Sequence, residues 1–143
     1  MNNSAIEKII FNGREVRMAI MPGFSRYGIL EIGEVVYRDT LKICPHYDDG
    51  KNGYRKIKIY PDGSKKRKSF WMNRLVWIAF YGPIPEGLEI DHIDGERANN
   101  NLLNFRSPVT KKENAAFKKQ REANFLFNRK ARTQKAETLW ANT

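Results

Sequence analysis

Apolar residues recur along this chain at two spacings, and each spacing predicts an element. Met72, Leu75, Val76, Ala79 and Phe80 stand at i, i+3, i+4, i+7 and i+8, one face of a helix over residues 70–81. Gly82-Pro83 ends that helix. Residues 53–60 alternate instead: Tyr54, Lys56, Lys58 and Tyr60 fall on one side of a strand, with Arg55, Ile57 and Ile59 on the other. Upstream, Phe11-Asn12-Gly13-Arg14-Glu15-Val16 reads as strand, Asn-Gly turn and strand. Pro61-Asp62-Gly63-Ser64 is a second turn, and residues 65–68 open the next strand with four bases. From residue 115 to about 136 the chain is rich in good helix formers. Its apolar stripe there is poor: Phe117, Ala123 and Phe127 are candidates to pack, and Asn124 and Asn128 interrupt them.

Charge changes the picture more than composition does. The net charge is +10, yet residues 51–68 and residues 111–135 each carry +7, so the remainder of the chain is acidic. Two separated basic stretches predict a polyanion held at two places. A Lys-bearing strand face with aromatics suits a phosphate backbone or a groove, or else is the wet face of a half-buried sheet. At 143 residues the chain predicts one or two small units with a thin core. Its single cysteine, Cys44, excludes an internal disulfide and any cysteine-rich zinc site. No apolar run approaches a membrane span, and no signal-peptide pattern opens the chain, so a cytoplasmic setting is expected. His46, in a loop without metal-ligand spacing, reads as an ordinary surface histidine.

The densest chemistry lies at residues 89–114. An Asp91-His92 pair closes a short apolar run over residues 88–92, and Asp94-Gly95 turns the chain. Asn99, Asn100 and Asn101 form a polar loop, and Asn104-Phe105-Arg106 leads into a second strand. Thr110-Lys111-Lys112-Glu113 is a capping box, so Asn114 falls in the first turn of a helix. These residues, with the upstream Met72-Asn73-Arg74-Leu75-Val76 and the Gly82-Pro83-Ile84-Pro85-Glu86-Gly87 spacer, resemble the HNH nuclease motif, or ββα-metal finger, of phage and intron-encoded homing endonucleases. The resemblance is specific from Trp71 to Asn114. Weaker matches at Gly23-Phe24, Tyr27, Ile29 and Gly33-Glu34-Val35 resemble the small module that precedes phage enzymes of this type and helps hold DNA; the same residues also read as a hairpin supplying core.

The resemblance implies an α+β fold: a small N-terminal antiparallel β module (1–64), a ββα-metal finger with its preceding helix (65–117) and a basic helical tail (118–143). It implies a metal-dependent DNA endonuclease that leaves a 5′ phosphate. His92 would be the general base, because imidazole titrates near neutrality. Asp91 and Asn114 would hold Mg2+, or Mn2+ in its place, through hard oxygen donors; no structural zinc is expected. Asn104, Asn100 and Asn73 are assigned structural roles, with Asn73 standing where relatives carry His. Arg55, Lys56, Lys58, Lys65, Lys66, Arg67, Lys68, Arg74, Arg106, Lys111, Lys112, Lys118 and Lys119 are expected to meet double-stranded DNA. A monomer would nick; a homodimer would make both cuts. Asn73 and one extra residue at Ser107-Pro108-Val109 favour an alternative, a finger that binds DNA without cutting it. An RNA-binding protein is a third reading, and it leaves Asp91, His92 and Asn114 without a joint explanation.

Overall fold

Strands β1 (Ala5–Phe11) and β2 (Arg14–Ile20) pair antiparallel through the Asn12-Gly13 turn, where both residues have positive φ, 49° and 78°. That is the geometry whose twist matches a hairpin. The computed structural model describes residues 3–141. Strands β3 (Tyr27–Leu30) and β4 (Val35–Tyr37) complete a four-stranded sheet in the order β1-β2-β3-β4. Successive residues of these strands bury on opposite faces, as the pleat requires. Ala19, Ile29 and Val35 enter the main core, whereas Met18, Leu30 and Val36 join a smaller cluster with Phe11 and Val16.

A three-stranded sheet follows, with β5 (Tyr47–Asp48), β6 (Arg55–Ile59) and β7 (Lys68–Trp71) in that order. The alternation of β6 is realised: Ile57 and Ile59 are buried and Lys58 is exposed. Helix α1 spans Met72–Tyr81, two residues shorter at its start than the apolar spacing predicts. Phe70 and Trp71 instead extend β7, where they pair with Ile57 and Lys56. Cross-strand pairing there overrides a pattern that is compatible with helix. The β6–β7 hairpin also crosses the predicted division at residue 64, so the two segments share a sheet.

Helix α1 buries Met72, Leu75, Val76, Ala79 and Phe80, the predicted face, against both sheets and against Ile90, Leu102 and Phe105. The finger carries little ladder of its own. Its two strands reduce to bridges at Glu89↔Val109 and His92↔Phe105. Between those bridges the second segment holds one more residue than the first, a bulge at Ser107-Pro108. Pro108, which has no N–H to donate, suits that position. The predicted insertion is absorbed there, and the Thr110–Glu113 capping box still forms. Helix α2 then runs unbroken over Lys111–Ala141, past Asn124 and Asn128. The last two residues of the predicted tail lie outside the described residues.

The four-stranded sheet docks directly on the finger loop. The Leu102 N–H donates to the Glu31 carbonyl at 2.8 Å. Gly33, at φ 92°, lies so close that a Cβ would sit 2.5 Å from the Asn100 carbonyl carbon. Gly33→Ala should therefore lower the unfolding free energy by about 1–3 kcal/mol, read as a lower urea midpoint. Gly50→Ala, equally left-handed but in open space, isolates the backbone part of that loss. Equal losses in the two variants would show that the close approach to Asn100 is unimportant.

Candidate active site

The first finger segment, the loop after it and α2 enclose a cleft of about 410 Å³, lined by residues that include Glu89, Asp91, His92, Arg97, Asn114 and Arg121. His92 is 3% exposed. Its Nε2 lies 2.9 Å from the Asn100 side-chain oxygen. An amide oxygen only accepts, so Nε2 carries the hydrogen and Nδ1 is left as the ring's basic atom. Phe105 and Tyr54 flank the ring at 5.4 and 6.1 Å between centroids. Asn100, predicted to be structural, is itself 4% exposed and fixes the tautomer of the predicted base.

Asp91 is also 3% exposed and carries two guanidinium partners. Arg106 Nε donates to Oδ2 at 2.9 Å, and Arg121 NH1 lies 3.3 and 3.4 Å from the two oxygens. Arg106 is half-buried, its guanidinium stacked 4.1 Å over the Phe117 ring. That geometry gives it a carboxylate partner within the chain. The reason is electrostatic: a carboxylate removed from water needs a compensating charge.

Asn114 directly follows the capping box in the first turn of α2 and donates Nδ2 to Glu89 Oε2 at 2.8 Å. Its Oδ1 is a neutral oxygen donor in the cleft that the Asp91 and Glu89 carboxylates also line. Such hard donors fit a small divalent cation that keeps several waters. Among the described residues no group of three or more His, Cys, Asp and Glu forms a complete protein cage, which is a different kind of site.

The loop between the finger segments is tied to itself. Asn104 Nδ2 donates to Asp94 Oδ1 and to the Asn99 carbonyl, and its Oδ1 accepts from the Asp94 N–H. Burial works to raise the Asp94 carboxyl, but hydrogen bonds from Asn99, Asn104 and the Glu96 amide overcome it and hold the group below its ordinary value. Asn73, 8% exposed, donates to the Ile90 carbonyl at 3.3 Å and joins α1 to the finger.

The basic residues divide by place. Lys111 and Lys118 line the cleft, whereas Lys112 and Lys119 are exposed on α2 outside its wall. Lys65, Lys66, Arg67 and Lys68 are exposed at the β6–β7 turn and the start of β7. Lys56 lies 4.2 Å over the Trp71 ring and Lys58 lies 5.9 Å over Tyr47. Arg74 donates to the Leu88 carbonyl. Arg55 also has partners within the chain: its Nε donates to His46 Nδ1 at 2.9 Å and a terminal nitrogen to the His46 carbonyl. His46, read from sequence as an ordinary surface residue, is half-buried between Arg55 and Glu34.

Three cleft residues were missing from the sequence reading. Glu89 is two positions before Asp91, the spacing that puts two strand residues on one side. Arg121 is seven after Asn114 and ten after Lys111, one face of a helix. Arg97, 4.6 Å over the Tyr54 ring, had no such signal.

Residues 70–116 match the HNH endonuclease family model. The chain is similar to the DNA endonuclease I-HmuI of Bacillus phage SP01, 39% identical over 88 residues that cover 62% of this chain and 48% of that one. It is similar to protein 3.8 of Escherichia phage T7, 38% identical over 68 residues, 48% of this chain and 55% of that protein. A solved structure of DNA binding and cleavage by the HNH homing endonuclease I-HmuI matches with a TM-score of 0.58 at 33% identity. That match covers 81% of this chain and 59% of the other, and the α+β architecture is shared. The chain spans about half the length of the curated relatives it matches.

Burial pushes His92 below its ordinary value of 6.5, against the Asn100 hydrogen bond and the charges of Asp94 and Asp91. The folded state prefers the neutral ring. Its contribution to stability is complete above the unfolded value and is lost as pH falls through the lower folded value. An NMR titration of the ring should show a midpoint below 6.5, with the urea midpoint declining as pH drops beneath that value. A ring titrating above 6.5 would contradict this account of its environment.

Proposed function

We propose that this chain is a metal-dependent DNA endonuclease of the HNH type, similar to homing endonucleases, that hydrolyses phosphodiester bonds. The observation that carries the reading is the junction of three groups in one cleft: the oriented His92, the buried Asp91 carboxylate and the Asn114 amide oxygen. A divalent cation, Mg2+ or Mn2+ in its place, would be held by Asp91 and Asn114 and would supply charge relief to the phosphate and the leaving oxygen.

This chain's own residues do the rest. His92 Nδ1 takes a proton from a water that attacks phosphorus; the bond to the 3′ oxygen breaks, and that oxygen takes a proton from solvent, leaving a 5′ phosphate and a 3′ hydroxyl. Asn100 stabilises the imidazolium that results, because its oxygen already accepts from Nε2. Glu89 orients the Asn114 amide, so the oxygen rather than the nitrogen is available for ligation.

Double-stranded DNA is the polyanion that the charge favours. Lys111 and Lys118 flank the cleft, and the exposed bases at 65–68 lie at the β6–β7 turn and the start of β7. Contacts of this kind are mainly to the backbone, so affinity falls steeply with salt. The N-terminal β module (1–64) and the tail (118–143) would grip DNA around the finger (65–117). One cleft per chain nicks, and a homodimer would make two cuts. No helix among the described residues is long and apolar enough to cross a membrane; the cytoplasm of a bacterial or phage-infected cell is where such DNA is met. Asn73 and the Ser107-Pro108 bulge, the features that argued for a finger without activity, both leave the cleft residues together.

Supercoiled phage DNA incubated with the protein and Mg2+ or Mn2+ should yield relaxed or linear product. EDTA should abolish it, and His92→Ala should reduce it by about 10²–10⁴-fold, the usual contribution of a positioned base. Cleavage indifferent to EDTA and to His92→Ala would overturn the reading. Salt-sensitive DNA binding without any cleavage would instead support a finger that only binds.

A further inference from the structure

Asp91 has one more cation than its burial requires. Arg106 alone compensates the charge: it is close, at 2.9 Å, and clamped over Phe117. Arg121 is different. Its terminal nitrogen straddles both carboxylate oxygens at 3.3 and 3.4 Å, long for a charge-assisted bond. Its side chain forms part of the cleft wall, which that of Arg106 does not. The path to Asp91 is nevertheless built. It crosses Gly95, where a Cβ would lie 2.9 Å from Arg121 Nε, so the bare backbone makes room for the guanidinium.

Arg121 therefore occupies the side of Asp91 that faces the cleft, the side a divalent cation would have to approach. Two cations compete for the same oxygen lone pairs. A guanidinium displaced from them stays within the cleft, beside the place where a phosphate must enter. Its planar fork suits two phosphate oxygens. Resting on the nuclease reading above, we propose that Arg121 is a phosphate-binding residue of this cleft. In the free protein it holds Asp91; when a divalent cation takes Asp91, it passes to a non-bridging oxygen of the scissile phosphate. The exchange leaves the carboxylate neutralised and the guanidinium paired at both stages. It also accounts for a basic residue on the same α2 face as Asn114, two turns along.

The proposal predicts effects of opposite sign, which a mere structural tether would not give. Mn2+ is titrated into the protein without DNA, with free Mn2+ followed by its paramagnetic resonance signal. Wild type, Arg121→Gln, Arg121→Lys and Asp91→Asn are compared, with thermal melts to show that each is folded. Arg121→Gln should bind Mn2+ roughly two- to five-fold more tightly, the scale of losing one partly exposed ion pair. The same variant should cut supercoiled DNA on the order of 100-fold more slowly, as for loss of one oxyanion donor. Arg121→Lys should recover part of the cutting, because it restores charge without the fork. Unchanged or weaker Mn2+ binding in folded Arg121→Gln, or cutting at the wild-type rate, overturns the proposal while leaving the nuclease reading intact. Should Arg121→Gln fail to fold, Arg121→Lys carries the test, since wild-type values in both measurements also overturn it. Wild type that binds Mn2+ no better than Asp91→Asn overturns the assignment of the metal ligands, and the proposal with it.

Discussion

Asp91 carries a formal charge at 3% exposure, where water no longer solvates it. Leaving such a group unpaired costs several kcal/mol, so the surrounding chain must bring cations inward. Arg106 comes from the second finger segment and Arg121 from α2. Those two contacts, with the Asn114–Glu89 bond, join all three parts of the finger around one side of the first segment. The same negative point that folds the finger is the point where the proposed chemistry needs a cation. Structural and functional demands on Asp91 therefore coincide, and the arginines answer the first while leaving room for the second.

The finger could not be held by backbone pairing alone. Two isolated bridges replace a ladder, and a bulge interrupts the register between them. Side-chain amides take over the work: Asn104 closes the loop on Asp94 and Asn99, Asn100 meets His92, and Asn73 reaches across from α1. The rest of the molecule supports this unit from behind. Ile90, Leu102 and Phe105 enter the same core as Leu75 and Val76, and the Gly33 turn packs against the Asn100 backbone. The residue just before β6, Tyr54, lines the cleft itself, so the three-stranded sheet and the finger act as one support for the site. Helix α2 shows why its apolar stripe is poor: the face bearing Lys111, Asn114, Lys118 and Arg121 is the wall of a polar cleft.

Much of this was readable from residue order because local chemistry is repeated at known spacing. The Asn12-Gly13 hairpin, the alternation around Ile57 and Ile59, the apolar face of α1 and the Thr110–Glu113 cap each depend on neighbours within a few positions. What was not readable depends on partners far along the chain. Phe70 and Trp71 fit a helix by period, but pairing with Ile57 and Lys56 makes them strand. Arg55 and Arg106 look alike as bases beside a nucleic-acid motif. One braces His46 and the other neutralises Asp91, and those partners lie 9 and 15 positions away.

The sequence by itself determined the main local elements, the residue types at the finger and the excess of positive charge, because these follow from period, turn chemistry and composition; the α+β class came with the resemblance. It also carried the HNH resemblance, since Asp91, His92, Asn104 and Asn114 stand in a fixed order. Only the tertiary structure decided which nitrogen of His92 is free, that Glu89 turns the Asn114 amide, and that Arg121 joins Arg106 on Asp91. Order along a chain sets what groups are present. Orientation and pairing in a water-poor cleft are set by which groups must be compensated there, and that depends on the folded surroundings of each one.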